Sequence, residues 1–138
     1  MKYQYFISSR WRNRDIVLEL TQKLRTKGKV VYCFLEGKEN FASIEDDPET
    51  AMKEYESTDD WWNNEKLKRI FQADMDALKS SEALVLLLPA GKSSHIEVGT
   101  AYGLGKKCIL VGDQKEAESL YLLFAEHYDS IDEFISAF

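Results

Sequence analysis

Ala83-Leu84-Val85-Leu86-Leu87-Leu88 is the most apolar run of the chain, and Pro89 and Gly91 follow it. A short apolar run that ends in this way is typical of a strand buried on both faces of a parallel sheet. The next segment, from Ser94, is predicted to be a helix. Open parallel sheets bind ligands beyond the carboxyl ends of their strands, where the next helix presents its first N–H groups. The run therefore predicts a ligand site between this strand and the helix that follows.

Strands and helices are predicted to alternate along the rest of the chain, which is the pattern of a parallel sheet with right-handed crossovers. Strands are expected at residues 3–8, 29–35, 82–88 and 107–111, with a short edge strand at 127–128, and helices at 14–27, 60–79, 94–105, 115–126 and 131–138. Residues 36–58 form a long polar excursion of the kind that serves a site as a lid or wall. The expected fold is α/β: a single flavodoxin-like or Rossmann-like three-layer domain over residues 1–138, with a parallel five-stranded sheet of order 2-1-3-4-5.

The composition indicates a folded, acidic protein. The chain has 138 residues, of which 44% are hydrophobic, and this suffices for a core. Its net charge of −6 comes from residues 45–60, where eight acidic residues stand against Lys53, so the remainder is about neutral. An acidic chain without a basic stripe argues against binding a nucleic-acid polymer. A monomeric nucleotide is still possible, because backbone N–H groups and one or two Arg suffice for a single phosphate.

The two cysteines, Cys33 and Cys108, lie far apart in apolar, strand-like runs. Their spacing matches neither a Cys-x-x-Cys pair nor a Cys/His ligand set, so we expect buried free thiols and no metal site. No segment reaches 18 consecutive apolar residues, and the N-terminus enters a strand without the features of a signal peptide. A cytoplasmic protein without a membrane partner is expected.

Glu97 lies early in the helix after the apolar run, over the place where a ligand is expected. One interpretation is structural, because Ser94 and Glu97 have the spacing of a capping box, in which each side chain binds the backbone N–H of the other residue. The other interpretation is catalytic, with the carboxylate facing a bound substrate.

A second carboxylate, Asp74, is predicted to face inward from the preceding helix. Apolar residues recur there with helical spacing, at Leu67, Ile70, Phe71, Met75 and Leu78. At 100° per residue, Asp74 falls about 20° from the centre of that stripe, whereas Asp76 points to the opposite side. Asp74 either helps to form the site or reaches water where the helix overhangs the sheet edge. Together with Glu97 it would supply the two carboxylates that glycosyl chemistry uses.

The loop after the first strand, Ser8-Ser9-Arg10-Trp11, abuts the same edge of the predicted sheet. Its hydroxyls and Arg10 suit a phosphate or sugar hydroxyls, and Trp11 suits stacking on a base. Arg10 is equally compatible with an ordinary surface cation. His95, at the start of the later helix, is compatible with donating to a phosphate or with simply filling the first turn.

The chain resembles the nucleoside 2-deoxyribosyltransferase superfamily, which includes the 2′-deoxynucleoside 5′-monophosphate N-glycosidases. Residues 89–101 look like the family's nucleophile motif, in which Glu precedes an apolar residue, Gly and a helix of small residues, and that Glu falls on Glu97. Residues 72–78 are similar to the family's Asp-bearing helix, and that Asp falls on Asp74. Residues 8–11 resemble the loop that holds the base and the sugar.

The resemblance implies attack of Glu97 on C1′ of the sugar, departure of the base, and transfer of the sugar to another base or to water, without a cofactor. Asp74 would orient the sugar or assist the leaving base. The transferases carry an acid six residues before the nucleophile, where this chain has Gly91. The monophosphate hydrolases hold a 5′-phosphate with Ser and backbone groups, and the corresponding segment here contains Gly91, Ser93, Ser94 and His95. This difference favours hydrolysis of a nucleoside monophosphate.

Two other functions stay open at the level of sequence. The first is a non-catalytic domain that binds a nucleotide-derived signal, on a fold related to Toll/interleukin-1-receptor-like domains, in which Glu97 binds a ribose or caps the helix. The second is an interaction domain whose contact surface is Trp61-Trp62 and the acidic segment.

The expected partner is a small-molecule nucleoside or nucleotide, which so small a domain would enclose only in part. Four aromatic residues lie in or beside the polar excursion and are of the kind that is enriched in interfaces: Phe41, Tyr55, Trp61 and Trp62. We therefore expect a homodimer or a higher even oligomer, which the resemblance also implies.

Overall fold

A computed structural model of the chain describes residues 1–41 and 43–138. Five strands form one sheet: β1 (Tyr3–Ser8), β2 (Val31–Cys33), β3 (Ser81–Leu87), β4 (Lys107–Val111) and β5 (Glu126–Tyr128). Their order is β2-β1-β3-β4-β5, and all four neighbouring pairs are parallel. This confirms the α/β fold and the strand order expected from the sequence.

Five α-helices accompany the sheet: α1 (Arg14–Thr26), α2 (Pro48–Glu56), α3 (Glu65–Lys79), α4 (Lys92–Gly103) and α5 (Ile131–Ser136). Residues of α1 and α5, such as Leu20 and Phe134, share one buried cluster with Val85 of β3. Residues of α3 and α4, such as Leu78 and Val98, share a second cluster with the neighbouring Leu84. Because successive strand residues face opposite sides, the apolar β3 serves both clusters, and the helices cover both faces of the sheet.

The polar excursion after β2 contains a helix that the sequence prediction missed. α2 begins at Pro48, a favoured first helical residue, and Asp47 precedes it in an extended conformation. Ala51 is fully buried, and Arg12 forms ion pairs with Glu49 at 2.7 Å and Glu56 at 3.0 Å. The helix is thus packed against the turn that follows β1.

The predicted helix over residues 115–126 is wrong. The structure has only a short 3₁₀ segment there, Ser119–Leu123, before β5. Leu120 and Leu122 are exposed, whereas Tyr121 and Leu123 pack against the second core cluster. Every second residue of this segment packs inward, so its apolar residues do not form the continuous stripe along one face that stabilises an α-helix.

Two smaller predictions also need correction. The second strand is shorter than expected, because residues after Cys33 turn into a 3₁₀ segment, Phe34–Glu36. In α3, Leu78 is fully buried as predicted, but Phe71 is 62% exposed. The N-terminal half of α3 borders a cavity instead of the sheet, and Phe71 lines that cavity.

Both cysteines, Cys33 and Cys108, are buried and free, as the sequence indicated. Within the part of the chain that the structure describes, no helix combines the length and apolarity needed to cross a membrane.

Candidate active site

A cavity of about 530 Å³ lies beyond the carboxyl ends of β1 and β3. Its polar lining comes from the turn after β1, from α3, from the start of α4, and from Asn40 and Glu56 in the excursion after β2. The members from the first three elements are Ser9, Arg10, Arg12, Asp74, Gly91, Lys92, Ser93, Ser94 and Glu97. The rest of the lining is largely apolar: Trp11, Phe34, Met52, Tyr55, Leu67, Ile70 and Phe71. The cavity thus combines an apolar wall with convergent polar groups, which is the composition of small-molecule sites.

Glu97 is not part of a capping box. α4 begins at Lys92, with Gly91 as its N-cap and no side-chain cap bond, so Glu97 lies in the second turn. Ser94 is buried inside the first turn. The Glu97 carboxylate instead accepts a hydrogen bond from the Ser8 hydroxyl at the end of β1, with Oγ and Oε1 2.7 Å apart. The side chain is therefore tied to the adjacent strand, and it lines the cavity.

The protonation of Glu97 is set mainly by its burial. Burial raises the pKa of Glu97 from 4.5 to about 8, the Ser8 hydrogen bond lowers it, and the charge of Asp74 adds a smaller increase. A carboxyl group with such a pKa is largely protonated at neutral pH and can exchange a proton with a bound ligand.

Asp74 faces the same cavity as Glu97, in line with its predicted position on the inward stripe of α3. Its Oδ1 accepts a hydrogen bond from the hydroxyl of Tyr32 at 2.9 Å. Burial raises the pKa of Asp74, and the bond from Tyr32 opposes this increase. The two carboxylates therefore share one cavity but are held by different hydroxyl donors.

The turn after β1 supplies three of the predicted residues to the cavity. The side chain of Ser9 is held in place, because its hydroxyl donates a hydrogen bond to the carbonyl of Leu87 at 2.9 Å. Arg10 lines the cavity, and its Nε is buried with no hydrogen-bond partner among the described residues. Trp11 is only 6% exposed, since Phe34 packs edge-on against its ring at 6.1 Å. Trp11 is thus mainly a wall of the cavity and offers little free surface for stacking.

Two predicted binding residues, Ser8 and His95, do not line the cavity. Ser8 is fully buried, and its hydroxyl holds Glu97. The ring of His95 is engaged on both sides, with Nδ1 2.7 Å from the carbonyl of Gly91 and Nε2 2.6 Å from the hydroxyl of Tyr121. His95 therefore stabilises the start of α4 and is not available to a phosphate.

The sequence prediction missed several residues around the cavity. Met52 and Tyr55 come from α2, and the pair Asp47-Pro48 was the signal that could have placed them on one helical face, three residues apart. Tyr32 was assigned to a strand with no role, because nothing local in the sequence shows that its hydroxyl meets Asp74.

Several solved structures share this fold, including the two that follow. One is the 2-deoxyribosyltransferase of the psychrotolerant bacterium Bacillus psychrosaccharolyticus, with 15% identity, a TM-score of 0.68, and alignment over 96% of this chain and 90% of that chain. The other is the CMP N-glycosidase BcmB of Clostridium botulinum, with 19% identity, a TM-score of 0.55, and alignment over 97% of this chain and 96% of that chain. No protein-family model and no curated protein matches the sequence.

At this level of identity the similarity establishes the fold. The chain is an α/β protein with Asp74 and Glu97 in a cavity at the carboxyl edge of its parallel sheet. Its fold is shared with a 2-deoxyribosyltransferase and a CMP N-glycosidase.

Proposed function

We propose that this protein cleaves the N-glycosidic bond of a nucleoside or nucleoside 5′-monophosphate. The observation that carries the proposal is that Glu97 and Asp74 line one cavity at the carboxyl edge of the sheet. Enzymes that cleave glycosides typically use two carboxyl groups in different environments. One acts on the anomeric carbon, and the other orients the sugar or assists the leaving group. The fold shared with a 2-deoxyribosyltransferase and a CMP N-glycosidase supports the same chemistry.

Glu97 is the proposed nucleophile. The carboxyl group of Glu97 first gives its proton to water, and an oxygen of the resulting carboxylate then forms a bond to C1′ of the sugar. The bond from C1′ to the base nitrogen breaks at the same time, and the electron pair leaves with the base, which takes up a proton from water. Water, or a second base, then attacks C1′ and releases Glu97. The Ser8 hydroxyl fixes the carboxylate for this attack. Asp74 orients the sugar through a hydroxyl group or assists the departing base.

The polar end of the cavity suits a 5′-phosphate. The buried Nε of Arg10 has no partner among the described residues, and the hydroxyl-bearing Ser93 lines the cavity at the start of α4. The first N–H groups of a helix and an Arg together bind phosphate well. Gly91 replaces the acid that transferases carry at this position, which supports hydrolysis of a monophosphate over transfer.

The proposed assembly is a homodimer or a higher even oligomer. Trp61 and Trp62, just before α3, are 62% and 74% exposed, and Phe71 at the cavity is 62% exposed. Large exposed aromatic residues of this kind are typical of interfaces. Phe41 and Tyr55 are half-buried, with their ring centroids 4.8 Å apart, so they are not proposed as interface residues.

The test is incubation of the parent protein with a panel of nucleosides and 5′-monophosphates, with free base measured by chromatography. We expect base release by the parent protein, and none detectable from Glu97→Gln and Glu97→Ala. The exposed Glu116→Gln is the matched control and should retain the parent rate. Base release at the parent rate by the Glu97 variants would refute the nucleophile role. Tight binding without base release would instead support the signal-binding alternative.

A further inference from the structure

Tyr32 approaches Asp74 from outside the cavity. Its hydroxyl donates to Oδ1 of Asp74 at 2.9 Å, across from the edge strand β2 to α3. Asp74 Oδ2 has no hydrogen-bond partner among the residues that the structure describes. Tyr32 itself is absent from the residues that line the cavity, whereas Asp74 lines it. One oxygen of the carboxylate is thus held by the protein, and the other is left for a ligand.

The ring of Tyr32 is fixed by aromatic neighbours on two sides. It stacks on Phe6, with the ring centroids 5.1 Å apart and the planes inclined by 19°. It also meets the ring of Tyr3 edge-on at 5.4 Å. Phe6 is fully buried in the core of the sheet. Because the ring cannot move without disturbing this cluster, its hydroxyl is preorganised against Asp74.

Tyr32 acts only as a donor in this pair. Burial raises the pKa of the Tyr32 phenol far above its usual range, and the charge of Asp74 raises it further, so the hydroxyl keeps its proton. In return, the hydrogen bond from Tyr32 lowers the pKa of Asp74 against the effect of burial. The other titratable or charged groups that line the cavity with Asp74 are Arg10 and Arg12 from the turn after β1, Tyr55 and Glu56 from α2, and Lys92 and Glu97 from α4.

We propose that Tyr32 is a positioning residue, which fixes Asp74 through Oδ1 so that Oδ2 accepts a hydrogen bond from a sugar hydroxyl. The division of labour between the two carboxylates then follows from their donors. Tyr32 fixes one oxygen of Asp74 toward the sugar, while Ser8 orients Glu97 for attack. This inference rests on the proposed function, and it adds a residue outside the cavity to the machinery of the site.

The test compares Tyr32→Phe with Tyr3→Phe. Tyr3 belongs to the same aromatic cluster, and no hydrogen bond of its hydroxyl is present among the described residues, so it is a matched control for loss of a phenol hydroxyl. A hydrogen bond to a charged group supports an expected fall in kcat of about 10-fold to 100-fold for Tyr32→Phe. Tyr3→Phe should keep the parent kcat. Thermal denaturation of both variants shows whether the aromatic cluster is intact.

A second readout does not depend on turnover. In carbon-13 carboxyl spectra, assigned with Asp74→Asn, the Asp74 signal should titrate at higher pH in Tyr32→Phe than in the parent and in Tyr3→Phe. A Tyr32→Phe variant with the parent kcat and the parent titration of Asp74 would overturn the proposal. If the parent releases no base from any substrate, the proposed function fails. The titration still tests the role of Tyr32 in that case, because a shifted Asp74 titration in Tyr32→Phe supports control of that carboxylate and an unchanged one contradicts it.

Discussion

At the scale of single residues, Glu97 shows the cost of placing a carboxyl group in a cavity wall. Its pKa rises from 4.5 to about 8 on folding, chiefly because burial disfavours the charged form. Between those two pH values the unfolded chain has lost the proton while the folded chain keeps it. The folded state therefore loses stability as pH rises from 4.5 to about 8, and the loss is complete above that range.

Replacing Glu97 by Gln should remove this pH dependence, because Gln stays neutral and has nearly the same shape. We expect the Tm of Glu97→Gln to exceed that of the parent at pH 8 and the difference to shrink toward pH 4.5. Thermal denaturation across this range measures the effect, with the exposed Glu116→Gln as control. A difference in Tm that does not vary with pH would contradict the assigned burial of Glu97.

The site residues differ in how far the sequence could place them. The inward direction of Asp74 followed from helical periodicity alone, since a helix fixes the angle between residues along its own axis. The bond between Ser8 and Glu97 joins residues 89 positions apart, and only the packing of α4 against β1 creates it. His95 was expected to face a phosphate, but its ring contacts the hydroxyl of Tyr121. The sequence could not show this contact, because Tyr121 lies in a segment that does not form the predicted helix.

At the scale of elements, the strands were the most predictable part of the chain. β1 and β4 have the predicted limits, because a buried parallel strand is a nearly uninterrupted apolar run. α2 was missed because it has only nine residues and buries a single one, Ala51, so its apolar periodicity is weak. The aromatic contacts of Trp11 with Tyr55, 6.4 Å apart, and the ion pairs of Arg12 hold it in place. These are tertiary contacts that a local pattern cannot reveal.

Two glycines at the ends of elements allow a controlled test of how β4 supports the site. Gly105, after α4, has φ +78° and open space around it, whereas Gly112, after β4, has φ +118°. A Cβ on Gly112 would lie 2.8 Å from Cβ of Leu88, the residue that leads from β3 toward the start of α4. Both positions disfavour a side chain through φ, but only Gly112 adds a steric conflict.

Gly112→Ala should therefore be the more destabilising change. Strain from a positive φ costs on the order of 1–3 kcal/mol, and it is no smaller at Gly112, whose φ of +118° lies farther from the left-handed helical region. The conflict with Leu88 adds about 1–3 kcal/mol at Gly112. Denaturant unfolding measures the two losses. Gly112→Ala should also reduce base release by the folded protein, because displacement of Leu88 moves the start of α4. Equal losses of stability for Gly112→Ala and Gly105→Ala would contradict this prediction, because they would show that Leu88 moves aside without lowering the free energy of unfolding.

At the scale of the whole molecule, different elements contribute the polar and the apolar parts of the cavity lining. Asp74 of α3 and Glu97 of α4 supply the groups for chemistry at the carboxyl edge of the sheet, and apolar residues of α2 and α3 also line the cavity. Phe71 of this lining is exposed, and the exposed pair Trp61 and Trp62 lies just before α3. Exposed aromatic residues in the cavity lining and next to the same helix are incompletely covered in one chain, which is the physical reason for proposing that a second copy covers them.

The last prediction concerns this assembly. Light scattering of the parent should give at least twice the 16.0 kDa of one chain. Trp62→Glu should lower the mass toward that of one chain and raise KM for the substrate, because a charge at the centre of an apolar contact opposes association and leaves the cavity uncovered. Leu122→Glu is the matched control, since Leu122 is 87% exposed in the segment between β4 and β5, away from the cavity lining. A parent protein with a mass of 16.0 kDa and full activity would contradict the assembly and leave one chain as the complete catalytic unit.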